Sequence, residues 1–207
     1  MEGFLQQFLE GIIHTSPLEF IAVCAGIVSV WLSKKEHILL YPVGLVNTVI
    51  YIWLSLDAHL LGEASVNLYY TIVSVYGWMA WARKDEQRER ILRIRHSSRR
   101  EWMHQLVFFL CCYLVIWIAL RAVRDSFAPG AIPWADALAS ASAYTGMWLM
   151  ARKKVESWIW WMVTNFASVP LYYSKGFVFT SVYYFVLLFI AWFGWMEWSK
   201  KAVSEGK

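Results

Sequence analysis

Charge is scarce in this sequence, and with it goes most of what a soluble protein needs. Charged residues make up 16% of the 207, whereas 59% are hydrophobic and 18% aromatic; ordinary soluble domains are about 25% charged. A water-soluble globule is excluded. Length sets a second limit: seven helices of about 20 residues would use roughly 140 positions and leave about 67 for ends and loops. No separate soluble catalytic domain fits beside them.

Cysteine is nearly absent as well. Cys24, Cys111 and Cys112 lie in apolar runs with no paired spacing and no Cys/His cluster, so they read as packing residues and not as a disulfide or metal site. Ionisable groups are missing from mid-membrane positions. The five histidines (His14, His37, His59, His96 and His104) and the carboxylates of Glu19, Glu36, Asp57, Glu63, Asp136, Glu156 and Glu197 fall at the ends of apolar runs or in loops. An ion-coupled carrier usually places such a group within a span, and an intramembrane hydrolase needs a nucleophile or metal beside a buried base. The inventory therefore points away from an enzyme or a cofactor and toward passive alternating access.

What the chain has is apolar runs and rings. Seven spans are expected at about Leu18 to Leu32, Ile38 to Leu56, Ala64 to Ala82, Gln105 to Val123, Ala135 to Ala151, Ser157 to Tyr173 and Phe177 to Trp198. Gly3 to His14 is amphipathic, too short to span, and unlike a signal peptide, which suits an interfacial segment. Of the 19 Lys and Arg residues, all but Arg121, Arg124 and Lys175 fall in loops or ends on one side of this arrangement. Positive charge collects in the cytoplasm, which puts the N-terminus outside and the C-terminus inside. The basic run from Arg83 to Arg100 is then a topology signal; it suits anionic headgroups and not nucleic acid, because no stacking aromatics interleave it.

Sliding the chain on itself by 117 positions lays Gly77-Trp78-Met79-Ala80-Trp81 on Gly194-Trp195-Met196-Glu197-Trp198, Trp31 on Trp148 and Glu19 on Asp136. With one extra residue Asn47 falls on Asn165. The expected organisation is an N-terminal segment 1–17, a first three-helix repeat 18–84, a basic loop and linker helix 85–133, a second repeat 134–201 and a tail 202–207. A single intervening span makes the two repeats parallel, an arrangement that in transporters puts the substrate site near the midplane between them.

The most specific chemical feature is Trp158-x-x-Trp161-x-x-x-Asn165. At 100° per residue the three share one helical stripe, which Ser168 and Tyr172 extend. An asparagine within a span must find partners inside the bundle. Its amide suits a ribose hydroxyl or a carboxamide, and two indole faces beside it suit a cationic heteroaromatic ring. Periodicity leaves a second reading open, in which both tryptophans belong to the interfacial belt and Asn165 ties two helices together. Asn47 is the first-half counterpart, and Asn67, Tyr70 and Tyr184 face the same interior from the third and seventh spans.

These residues resemble the PnuC family of bacterial vitamin transporters. The likeness is carried by Trp158-x-x-Trp161-x-x-x-Asn165, by Asn67-Leu68-Tyr69-Tyr70 with Tyr76-Gly77-Trp78, and by Tyr183-Tyr184 with Phe193-Gly194-Trp195, and covers about residues 18 to 200. It implies an all-α integral membrane protein of the bacterial inner membrane, with seven transmembrane helices arranged 3+1+3 as in SWEET-type sugar transporters. It further implies facilitated diffusion of a vitamin precursor, trapping inside the cell by a vitamin kinase, and assembly as a homotrimer. Members are associated with nicotinamide riboside, thiamine or riboflavin. Substrate contacts carry over most directly to Trp158, Trp161 and Asn165, and by position in the repeat to Asn47, Asn67, Tyr70 and Tyr184. The cationic rings of nicotinamide riboside and thiamine both satisfy the indole clamp, so nicotinamide riboside leads with thiamine as the alternative.

Overall fold

The computed structural model describes residues 16–57, 61–83, 92–127, 132–176 and 178–205. The expected segment Gly3 to His14 and the stretch 84–91 of the basic run lie outside them. Among the described residues there are seven helices and no strands: α1 Pro17–Lys34, α2 Leu40–Asp57, α3 Leu61–Ala82, α4 Arg99–Phe127, α5 Pro133–Ala151, α6 Ser157–Ser174 and α7 Val178–Glu205.

Local chemistry sets the helix starts. Ser16 caps α1, its Oγ accepting from the Glu19 amide at 3.1 Å, and Pro17 occupies the first turn, where no donor is needed. Pro133 does the same for α5, and Asp136 accepts from the Ile132 amide at 2.6 Å. At α4 the Glu101 amide donates to Ser98 Oγ at 3.3 Å while the Ser98 amide donates to Glu101 Oε2 at 2.8 Å, a reciprocal capping box. That box starts α4 six residues before the expected span at Gln105.

Four helices are long and apolar enough to cross a bilayer: α1, α2, Arg99–Ala122 of α4 and Val178–Ser204 of α7. The other three expected spans form helices that fall short of this by length and composition, and burial gives the reason for α5 and α6. Helix α5 is walled in by small residues, with Ala137, Ala141, Ser142 and Thr145 all buried, and α6 buries Thr164, Asn165 and Ser168. A helix covered by protein does not need a lipid-compatible surface. Cys24 and Cys111 differ from expectation in the other direction, lying exposed and not packed.

The helices pack in a closed ring: α1 on α2, α2 on α3, α3 on α5, α5 on α6, α6 on α7, and α7 back on α1. Helix α4 lies outside it against α5. One end of the ring is filled by a layer of Tyr41, Trp81, Met150, Val155, Trp158 and Trp198, joined by Ile94. Contacts in this layer recur 117 residues apart. Tyr41 meets Trp81 edge-on at 5.3 Å and Trp158 meets Trp198 edge-on at 5.6 Å. Trp81 Nε1 donates to the Ala151 carbonyl and Trp198 Nε1 to the Lys34 carbonyl, each at 3.2 Å. Glu36 and Lys153 both hold left-handed backbone, φ 58° and 52°, in the turns that follow α1 and α5.

The described part of the basic run does more than mark topology. Residue 95 bridges in parallel to residue 154, with Arg95 N donating to the Lys153 carbonyl and Val155 N to the Arg95 carbonyl, both at 3.2 Å. Ile94, 1% exposed, plugs into the aromatic layer. Glu156 accepts from Ser97 N at 2.9 Å and Ser97 Oγ at 2.6 Å, and Gln105 links Ser97 to the Trp160 indole. Burial opposes ionisation of Glu101, yet hydrogen bonds from Lys154 and the Ser98 amide, with the Lys154 and Arg95 charges, pull its pKa down to about 2.

Because that pKa is depressed, the contribution of Glu101 is fully present above its unfolded value of about 4.3 and is lost as pH falls toward about 2. Glu101→Gln removes it at every pH. Hydrogen exchange of amides 92–98 in the variant should be faster at pH 7, with protection reduced by about tenfold, roughly the value of one cap at 1 kcal/mol or slightly more.

Candidate functional site

Within the ring, beyond the aromatic layer, rings and amides from several helices meet. Tyr70 on α3 lies 6.2 Å from the Trp161 ring on α6, although α3 and α6 do not pack on each other, so these side chains meet across the interior. Tyr144 on α5 closes the same group, 4.5 Å from Tyr69 and 6.3 Å from Tyr70. The Tyr69 hydroxyl donates to the Tyr144 carbonyl at 3.0 Å, fixing α3 to α5. On the opposite side Tyr184 stacks on Tyr172 at 5.1 Å and 21°, with Tyr183 5.4 Å away. Tyr172 and Tyr183 lie within electrostatic reach of Tyr70.

Small residues make these approaches possible. A Cβ on Gly26 would sit 2.9 Å from the Tyr183 hydroxyl and 3.0 Å from Asn47 Nδ2, so α1, α2 and α7 converge at one corner. Gly146 lies under Trp161, with 3.3 Å from an added Cβ to Cε2. Asn165 is 3% exposed, and its amide makes no hydrogen bond to another described residue. A buried amide normally has partners; this one has no protein partner among the described residues.

The expected residues therefore divide. Trp161, Tyr70 and Tyr184 belong to the ring contacts of the interior, and Asn165 is buried on α6 one turn from Trp161. Asn67 is half-buried on α3 one turn from Tyr70, its carbonyl accepting from Thr71 Oγ1 at 2.9 Å. Asn47 spends one donor on the Ala22 carbonyl at 2.7 Å. Trp158 sits in the aromatic layer, 1% exposed, its ring lying on Gly194 and its indole nitrogen without a hydrogen bond.

The pairing of Asn47 with Asn165 is one residue out. Thr164 Oγ1, which donates within its helix to the Trp160 carbonyl at 3.0 Å, also lies 3.4 Å from the Ala139 carbonyl, the position equivalent to Ala22 that Asn47 binds, and both steps are 117 residues. Thr164 thus answers Asn47 and Asn165 answers Thr48, since no extra residue intervenes. A slip of one position turns a helical side chain by 100°, so Asn165 does not share the position from which Asn47 binds its neighbouring helix.

Tyr69, Tyr144 and Tyr172 are the residues that pattern reading passed over as ligands or placed only on a stripe. Tyr144 had a signal: it is the single tyrosine in an Ala- and Ser-rich helix. A separate apolar groove of about 340 Å³ runs between α6 and α7, lined by Val169, Pro170, Tyr173, Ser181, Val182 and Phe185. It offers no charge or amide. Among the described residues no His, Cys, Asp and Glu cluster suits a metal ion.

A family model described as nicotinamide mononucleotide transporter matches residues 16–200. The chain belongs to that family. The nicotinamide riboside transporter PnuC of Escherichia coli (strain K12) is 26% identical over 209 residues, covering 91% of this chain and 87% of its own length. The riboflavin/roseoflavin transporter RibM of Streptomyces davaonensis is 21% identical over 174 residues, covering 84% of this chain and 80% of its own. Among solved structures, the crystal structure of the vitamin B3 transporter PnuC matches with a TM-score of 0.71 at 19% identity, over 97% of this chain and 88% of that chain. That likeness shows a shared fold. The family is one of transporters and not of enzymes.

The ring seats can be tested directly. A Cβ on Gly194 would lie 2.7 Å from three Trp158 ring atoms, and one on Gly77 2.5 Å from the Tyr41 hydroxyl. Gly194→Ala and Gly77→Ala should each destabilise the protein by about 1–3 kcal/mol, read as a lower melting temperature in detergent. Gly176→Ala, with nothing within 4 Å at φ 83°, carries only backbone strain of about 1–2 kcal/mol.

Proposed function

We propose that this chain is an inner-membrane transporter that takes up a vitamin precursor, nicotinamide riboside first among them, by facilitated diffusion. The observation that carries the reading is the buried Asn165, 3% exposed, one turn from Trp161, whose ring lies 6.2 Å from that of Tyr70 across the interior, with Tyr144 beside Tyr70. Rings offer faces to a cationic pyridinium, and the amide matches a carboxamide or ribose hydroxyl. The E. coli relative carries the same name of cargo. Substrate contacts are assigned to Trp161, Asn165, Tyr70 and Tyr184, with Asn47 and Asn67 at the rim and Trp158 as the floor beneath them.

The proposed architecture is two parallel three-helix repeats, α1–α3 and α5–α7, with α4 as linker. Support comes from contacts repeated at a spacing of 117 and from the ring order, in which α3 on α5 and α7 on α1 are equivalent seams. The N-terminus is placed outside and the C-terminus in the cytoplasm on the distribution of Lys and Arg. The interior group is neutral, so uptake needs no coupling ion; phosphorylation by a cytoplasmic kinase supplies the direction. Assembly as a homotrimer belongs to the same proposal, and the exposed Leu110, Leu114 and Ile118 of α4 leave apolar surface for it.

Uptake of radiolabelled nicotinamide riboside, thiamine and riboflavin into a strain lacking its own carriers tests the reading. Nicotinamide riboside should accumulate and continue to do so when the proton gradient is collapsed with ATP maintained. Asn165→Ala and Trp161→Ala should each weaken apparent affinity by about tenfold or more, the worth of one buried polar contact. Full uptake in both variants overturns the site, accumulation of thiamine or riboflavin alone overturns the cargo, and uptake of none overturns transport.

A further inference from the structure

The end of the ring that carries the basic loops is shut by contacts running across it. Ser33 Oγ on α1 donates to Met150 Sδ on α5 at 3.0 Å, joining the two helix ends. Just beyond them Lys153 Nζ pairs with Glu36 Oε1. Lys153 is 0% exposed and its ammonium also sits 4.7 Å over the Trp81 ring, while Lys201 reaches the second Glu36 oxygen at 3.8 Å. Both partners occupy the same position in their turns, 117 residues apart and both in left-handed backbone. Like residues at such a position would face each other as like charges. This chain has a carboxylate in one turn and an ammonium in the other.

A buried ion pair is a poor device for stability alone, because desolvation offsets its attraction, yet losing one partner strands a charge. That makes it suited to a contact that holds firmly when closed and separates into two hydrated ions when opened. The two sides are not held alike. The Lys153 turn is clipped by residue 95, by Ser97 on Glu156, and by Lys154 Nζ on Glu101 Oε1 at 2.6 Å. Among the described residues no segment bridges to the Lys35–His37 turn in the same way.

We propose that Glu36 and Lys153 are the latch of the loop-side gate, with the Glu36 turn withdrawing from a fixed Lys153 to open the interior toward the basic face. The inference rests on the transporter reading and adds to it the residues that control access.

The test uses an accessibility reporter, Asn165→Cys, in a background where Cys24, Cys111 and Cys112 are serine. A membrane-impermeant maleimide is applied in vesicles from the face bearing residues 34–36 and 152–154. Glu36→Lys and Lys153→Glu should each speed labelling by about tenfold or more, and the double exchange should return it to within about twofold of the parent. Glu36→Gln, the milder change, should shift labelling in the same direction and serves where either reversal fails to give monodisperse protein. Unchanged labelling in monodisperse single variants, or a double exchange that labels as fast as the singles, overturns the latch. Vitamin uptake is measured separately on the unsubstituted chain, which retains Asn165: a chain that carries nothing overturns the transporter reading, while the labelling comparison still decides whether the pair holds this end closed.

Discussion

Two indole N–H groups hold the helix ends on which the ring depends. The last carbonyls of a helix have no partner within it, and in a low-dielectric layer each unpaired carbonyl is costly. Lys34 ends α1 and Ala151 ends α5, and their carbonyls receive Trp198 and Trp81 from the facing helices. Each bond crosses from one group of three helices to the other. With the α1 and α5 ends fixed this way, the turns that follow place Glu36 and Lys153 opposite one another. The helices that begin after those turns bring Tyr41 and Trp158 onto Gly77 and Gly194. The interior group lies beyond that layer and inherits its register from it.

Much of this was legible because it depends on residue type and period. Apolar runs marked all seven helices, although α4 begins at Arg99 and α7 continues to Glu205, beyond the runs themselves, and the spacing of 117 between the two Gly-Trp-x-x-Trp segments is the spacing at which ring contacts recur. What the pattern could not supply was the partner of each side chain. The Trp158 stripe is correct as helical geometry, but whether a residue on it meets ligand space or a glycine of the next helix depends on depth along the axis. Asn47 and Asn165 looked equivalent because both are asparagines near one offset; a carbonyl 25 residues upstream decides that Thr164 is the true counterpart of Asn47. The docking of residues 92–98 on the 153–156 turn joins segments far apart in sequence through backbone bonds and one glutamate, and neither leaves a periodic trace.

On the proposed reading of the site, neutrality of the interior has a physical consequence for the cargo. A fixed carboxylate would bind a cationic ring tightly and release it slowly, and would itself require hydration or protonation whenever the site emptied. Rings and amides interact by a few weak terms at once: an indole or phenol face for the ring, an amide for a polar edge. Such a site stays uncharged when vacant, which suits a carrier that must return empty. Tyrosine also supplies mutual packing, so Tyr69 to Tyr144 and Tyr172 to Tyr184 hold the site's shape without help from the cargo.

The differences between contacts 117 residues apart matter as much as their likeness. Where pairs carry structure they match closely, as in the glycine seats, the indole bonds and the acidic first turns of α1 and α5. Elsewhere they diverge: Thr48 against Asn165 and, at the seam, Glu36 against Lys153. On the proposed reading, two parallel repeats would offer like half-sites, whereas a nucleoside has a ring at one end and hydroxyls at the other and is satisfied only by halves that differ. The same holds for the pair at the seam, where identical charges would repel and only divergence produces attraction. The correspondence at 117 residues is therefore kept where it builds the ring and lost where the proposed ligand and the proposed latch need unlike partners.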